Sequence, residues 1–210
     1  VTAGRLGVAR SERLLLCDLL EELGPLSPTL CLGWNTGDLA AHLFLRERRP
    51  VAALGIAVPP LTSFTRREMD SLKRSLGHEG LLERLRAGPP RPFLPVEEAF
   101  CAVEFFVHHE DVRRAGDAPP TPREDVELDE VLWRRLRRYA RFLARRLHGA
   151  GLELVAPGFG ALSARRGVPV ATLSGGPQEL TLFLFGRGSV AAVELDGRDD
   201  VRRAVEGAVF

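Results

Sequence analysis

The chain has 210 residues and a mass of 23.1 kDa, enough for one substantial core or for a larger domain with a small appendage. Hydrophobic residues make up 45% and charged residues 27%, and no apolar run approaches the roughly 20 residues that a membrane span requires. A net charge of +1 provides no global attraction for nucleic acid, and the three cysteines lack the CxxC spacing of a zinc knuckle and the even count of a disulfide framework.

The first predicted helix covers residues 5 to 23, with Leu16, Leu19, Leu20 and Leu23 on its apolar face and Gly24-Pro25 as a stop signal. Nothing in residues 1 to 10 has the continuous apolar core of a secretory signal, so a cytoplasmic location is expected, in keeping with reduced cysteines. Cys17, Cys31 and Cys101 read as small apolar packers, because no basic residue stands beside them to activate a thiolate. After a loop through Gly33, Asn35 or Thr36 can cap a second helix that Pro50 closes, and Asp38 in its first turn favours the positive end of the dipole. His42 shares a face of that helix with Leu39 and Leu43.

Residues 51 to 62 form a Gly/Pro-containing connection, and residues 63 to 87 a more polar helical stretch broken near Gly77, expected to cross over the bundle. The Pro-rich stretch from Gly88 to Pro95 leads into a third strong helix, 96 to 115, and residues 117 to 127 form a second stiff loop. A fourth helix, 128 to 148, carries Leu132, Leu136, Ala140, Leu143 and Leu147 on one face and arginines on the other. After Gly149, β-prone runs at 152 to 156, 168 to 173 and 190 to 195 alternate with helix-like segments at 177 to 185 and 199 to 208. These elements predict a mainly α protein: a helical bundle over residues 1–149 and a small α/β C-terminal domain over 150–210.

The chemistry is concentrated in the third strong helix. A helix advances about 100° per residue, so Glu104 and His108 lie roughly 40° apart and Asp111 falls close to both. Buried imidazole and carboxylate need a partner, and a divalent metal suits both. His42 from a neighbouring helix completes a His, Glu, His set with a coordination position left for water or substrate. His109 points about 100° from His108 and is not expected to serve the same ion. Asp111 has three roles open: a fourth ligand, an acceptor that orients a histidine, or a solvated residue, the second being favoured.

Two other readings compete. The bundle can hold a metal for structural purposes alone, in which case a closed set including Asp111 is expected. The arginines of the fourth helix, Arg134, Arg135, Arg137, Arg138, Arg141, Arg145 and Arg146, can form a nucleic-acid stripe, but acidic residues just upstream and the favourable position of cations near a helix C-terminus explain them without a ligand. Gly175-Gly176 lacks the other positions of a phosphate loop and reads as a turn.

Three passages carry a family resemblance: CLGWNTGDLAAHL at 31 to 43, EFFVHHEDVRRAG at 104 to 116, and GGPQELTLFLFGR at 175 to 187. They resemble the DinB-like metal-binding helical bundles, in particular the branch of mycothiol-dependent maleylpyruvate isomerases. The resemblance implies a DinB-like up-down four-helix bundle with crossover helices and a C-terminal α/β appendage. By the same resemblance His42, Glu104 and His108 are zinc ligands, Arg187 is a cofactor-binding residue, and Asp111 stands behind the ligands or joins them as a fourth. It further implies that the metal, zinc or another divalent ion, holds the small thiol mycothiol for isomerisation or S-transfer on a small substrate. Asn35 stands where the family more usually has threonine after Gly-Trp, and the HHED string suggests a subgroup apart from the isomerase itself.

Overall fold

The computed structural model describes residues 7–48, 62–89, 101–116 and 122–208. The connection at 51 to 61, the Pro-rich stretch from 90 and the predicted start of the third strong helix at 96 to 100 lie outside the described residues. The chain forms two compact units, residues 1–120 and 121–210.

The first unit is a helical bundle of α1 (Val8–Leu23), α2 (Thr36–Arg48), α3 (Thr62–Ala87) and α4 (Ala102–Arg113). Gly24 ends α1 with a φ of 71°, a conformation only glycine adopts without strain, and its N–H returns to the Leu20 carbonyl. At the start of α2, Asn35 Oδ1 accepts from Asp38 N at 2.9 Å while Asp38 Oδ2 accepts from Asn35 N at 3.2 Å. This reciprocal cap satisfies two otherwise orphaned donors and sets where the helix begins. Gly77 interrupts α3 with a φ of 67°, at the predicted break. The core joins Leu16 and Leu20 of α1, Leu39 and Leu43 of α2, Met69, Leu72 and Leu82 of α3, and Phe105 and Val112 of α4.

One buried ion pair crosses this core. Arg13 of α1 is 1% exposed; its Nη1 donates to Glu47 Oε2 at 2.6 Å and to the Leu85 carbonyl at 3.0 Å, and its guanidinium lies 4.3 Å from the Phe105 ring centroid. A buried guanidinium is tolerated because its donors and its face are all engaged.

The second unit begins with α5 (Val126–Leu143), whose N-cap Asp125 accepts from Leu128 N at 3.0 Å. A four-stranded sheet follows in the order β2-β1-β3-β4, with β1 (Gly151–Ala156), β2 (Gly160–Arg165), β3 (Val170–Ser174) and β4 (Glu194–Asp196). β1 pairs antiparallel with β2 and parallel with β3, and β3 pairs antiparallel with β4. Between β3 and β4 lies α6 (Pro177–Leu182), which Gly176 and Pro177 open as N-cap and first residue, and α7 (Asp199–Glu206) closes the unit. Gly175 bends the chain out of β3 and Gly176 caps α6, so the pair connects strand to helix.

The expected boundary at 149/150 differs from that of the compact units at 120/121. Trp133, Leu136 and Ala140 of α5 pack in one core with Leu152, Leu154, Leu173, Leu180 and Val205. The apolar face that reads as a fourth bundle helix therefore covers the sheet, and the bundle's fourth member is α4. Strand β2 was not among the expected strands: only one of its six residues is buried, so GALSAR carries little apolar signal. A chain ending at residue 149 is expected to bind hydrophobic dyes and self-associate, because the face bearing Leu132, Leu136 and Ala140 loses its sheet. A chain ending at residue 120 is expected to stay monodisperse. Size-exclusion chromatography of both truncations checks this, and the reverse behaviour would restore the boundary at 149/150.

Candidate metal centre

Two helices of the first unit supply the site. Residues 102–113 form a helix in which Val103, Phe105, Phe106, Val107 and Val112 are buried, but so are His109, Glu110 and Asp111. Such a helix is enclosed on several faces, so each polar side chain needs a partner inside the protein.

His42 of α2 is 2% exposed, and neither of its ring nitrogens has a hydrogen-bond partner. Leaving a buried donor or acceptor unmet costs about 1–3 kcal/mol for each group. Burial, with His108 and Arg46 nearby, pushes its pKa down to about 2, so the imidazole is neutral and one nitrogen keeps its lone pair. The ring packs against Trp34 with centroids 4.8 Å apart and meets His108 edge-on at 5.1 Å. One ligand atom from each of His42, Glu104 and His108 lies within 4.8 Å of the other two. The chemistry of this donor set and the two unmet nitrogens of His42 fit a divalent cation.

Two neighbours condition the set. Arg46 Nη1 lies 2.8 Å from Glu104 Oε1, an ion pair that lacks hydrogen-bond alignment at that oxygen, and the Arg46 side chain is 49% exposed. It can therefore swing into solvent when another cation takes the carboxylate. Asp111, fully buried, places Oδ2 at 2.9 Å from His108 Nδ1. With Nδ1 donating there, the His108 lone pair is on Nε2, the tautomer a carboxylate behind a ligating histidine imposes.

His109 turns to another side of α4, with Nδ1 3.2 Å from Glu12 Oε2 of α1. Arg187 belongs to the second unit, where Nη1 donates to the Phe185 carbonyl at 2.5 Å. The arginines of α5 and of the turn that follows it are solvated: Arg134, Arg137, Arg138, Arg141, Arg145 and Arg146 are exposed, and Arg145 stacks 3.7 Å from the Phe142 ring centroid. Cys17 is the packer expected, its thiol pushed up to about 11 by burial. Cys31 is not: its Sγ donates to Asp111 Oδ2 at 3.2 Å and lies 3.9 Å from His108 Nδ1. No local signal marks this contact, since 80 residues separate Cys31 from Asp111.

No protein-family profile matches the chain, and no curated protein matches it. Among solved structures, it is similar to the crystal structure of the mycothiol-dependent maleylpyruvate isomerase, with a TM-score of 0.55 and 17% sequence identity over 90% of each chain. That likeness establishes a shared fold spanning both units. Among the described residues, no helix is long and apolar enough to cross a membrane.

Proposed function

We propose that this protein binds one divalent metal, zinc by preference, through His42, Glu104 and His108, and uses it in thiol-dependent isomerisation or S-transfer with mycothiol as the thiol. The observation that supports the reading best is His42: a neutral imidazole, buried, with both nitrogens unmet, facing a carboxylate and a second imidazole. The shared fold with a mycothiol-dependent enzyme supports the choice of cofactor.

When bound, a divalent cation held by two neutral imidazoles and one carboxylate keeps net positive charge and favours thiolate over thiol. The protein's own residues prepare for this. Asp111 holds His108 in the tautomer that presents Nε2. Arg46 neutralises Glu104 in the absence of a cation and is free to leave it. Trp34 covers one side of His42 and keeps water from its ring.

The test uses cobalt in place of zinc. A free thiol has a pKa near 8.5 and is mostly protonated at pH 7, so binding as thiolate releases a proton. Adding mycothiol is expected to add a sulfur-to-cobalt charge-transfer band and to release close to one proton, detected by calorimetry in two buffers. Glu104→Ala is expected to abolish the added band. An unchanged spectrum at millimolar mycothiol would overturn the thiol reading and leave a metal that serves structure alone.

A further inference from the structure

His108 has a second group of donors on its other nitrogen. Asp111 Oδ2 lies 2.9 Å from Nδ1 and 3.2 Å from Cys31 Sγ, and the sulfur lies 3.9 Å from Nδ1. In a tetrahedral zinc site with bonds of about 2.0–2.3 Å, ligand atoms stand roughly 3.3–3.6 Å apart. The three edges fall on either side of that range, so an ion would part Asp111 from His108 and draw the sulfur toward His108, each by a few tenths of an ångström.

The sulfur is also held in place. Leu30 N donates to the Asp111 carbonyl at 2.9 Å, tying the loop before α2 directly to α4. Within that loop Thr29 Oγ1 accepts from Cys31 N at 3.2 Å and donates to the Trp34 carbonyl at 2.9 Å, while Trp34 N donates to the Cys31 carbonyl at 2.9 Å. Donors fixed by their own backbone lose little freedom when they take a ligand.

We propose that Cys31, His108 Nδ1 and Asp111 form a second cation site, one that takes a soft divalent metal such as cadmium or zinc through a thiolate. Charge favours it: thiolate and carboxylate together cancel the cation's charge, which suits the buried position of Asp111. Softness favours it too, since thiolate selects cadmium-like and zinc-like ions over magnesium or calcium. A neutral imidazole has one lone pair, so His108 serves this site or the His42–Glu104 site, and the two compete for it. As the cation binds, the Cys31 thiol proton leaves to solvent, and the Nδ1 proton of His108 is exchanged for one on Nε2.

The inference does not depend on the thiol reading, although the two sites share His108. The experiment adds one equivalent of cadmium to the full chain without added thiol. Thiolate-to-cadmium absorption is expected in the wild type and in Glu104→Ala, and is expected to vanish in Cys31→Ser, where serine keeps a donor toward Asp111. In the wild type, cadmium is expected to slow alkylation of Cys31 by iodoacetamide about tenfold or more, read by peptide mass mapping with Cys17 and Cys101 as internal references, because a metal-bound thiolate is withheld from the reagent. Absorption that survives Cys31→Ser, or alkylation at the same rate with and without cadmium, would overturn the site. Cadmium bound without thiolate absorption and lost in Glu104→Ala would overturn it too, while leaving the His42–Glu104–His108 centre standing.

Discussion

His108→Ala is expected to lower the metal content of the purified protein from about one divalent ion per chain to near zero, whereas His109→Ala leaves it near one. The two histidines are adjacent in sequence, so composition, helix propensity and local charge change almost equally in the two variants. Their surroundings differ. His108 lies edge-on to the ring of His42, whose nitrogens make no hydrogen bond, and beside Asp111, while His109 faces Glu12 on α1. His108 also belongs to both donor sets, so its removal leaves neither with three ligands. Elemental analysis after purification without chelators reads the result directly. Thermal unfolding gives a second reading: a metal at 100 times its dissociation constant stabilises the wild type by about 2.7 kcal/mol, a gain His108→Ala should lose. Equal metal loss in both variants would mean the wrong face of α4 was chosen. A wild type that neither retains metal nor takes up added zinc would remove the metal centre altogether.

The grouping of the candidate donors was legible because helical periodicity is a local property. Glu104, His108 and Asp111 follow one another at intervals of four and three, and any helix over that stretch brings them to one side. His42 was legible for a related reason, as a titratable residue among leucines, and Asp111 as an orienting carboxylate followed from its spacing to His108. The end of α1 at Gly24 and the break at Gly77 could be read because positive φ leaves its mark on residue choice.

What escaped the sequence depends on contacts between distant segments. Cys31 meets Asp111 across 80 positions, and Arg13 meets Glu47 across 34, with nothing at either end to announce the pairing. The assignment of α5 failed in a different way. Its face of Leu132, Leu136 and Ala140 is a correct reading of amphipathicity, but periodicity states that a face is buried and not what buries it. A sheet serves as well as three helices, and here the sheet takes it.

Glu110→Ala is expected to destabilise the protein by about 3–5 kcal/mol, a large part of the roughly 5–15 kcal/mol that holds a domain folded. The Glu110 side chain is fully buried, with Oε1 accepting from Arg113 Nη1 at 2.5 Å and Oε2 from Arg114 Nε at 2.6 Å. Arg114 is only 3% exposed, so removing the carboxylate takes away, inside the protein, the charge that accepts from its Nε. The cost is the desolvation of that cation, which water cannot reach to relieve. Glu110→Gln keeps the shape and one acceptor but loses the charge, so a smaller loss is expected. The surface pair of Arg86 with Asp18 is the control: Asp18 Oδ1 lies 2.9 Å from Nη2 with the carboxylate exposed, and Asp18→Ala should cost no more than about 1 kcal/mol. Urea unfolding of the three variants, followed by far-UV dichroism in metal-free buffer, gives the ranking. A Glu110→Ala variant as stable as Asp18→Ala would mean that the buried charges around Glu110 are met as well without its carboxylate as with it.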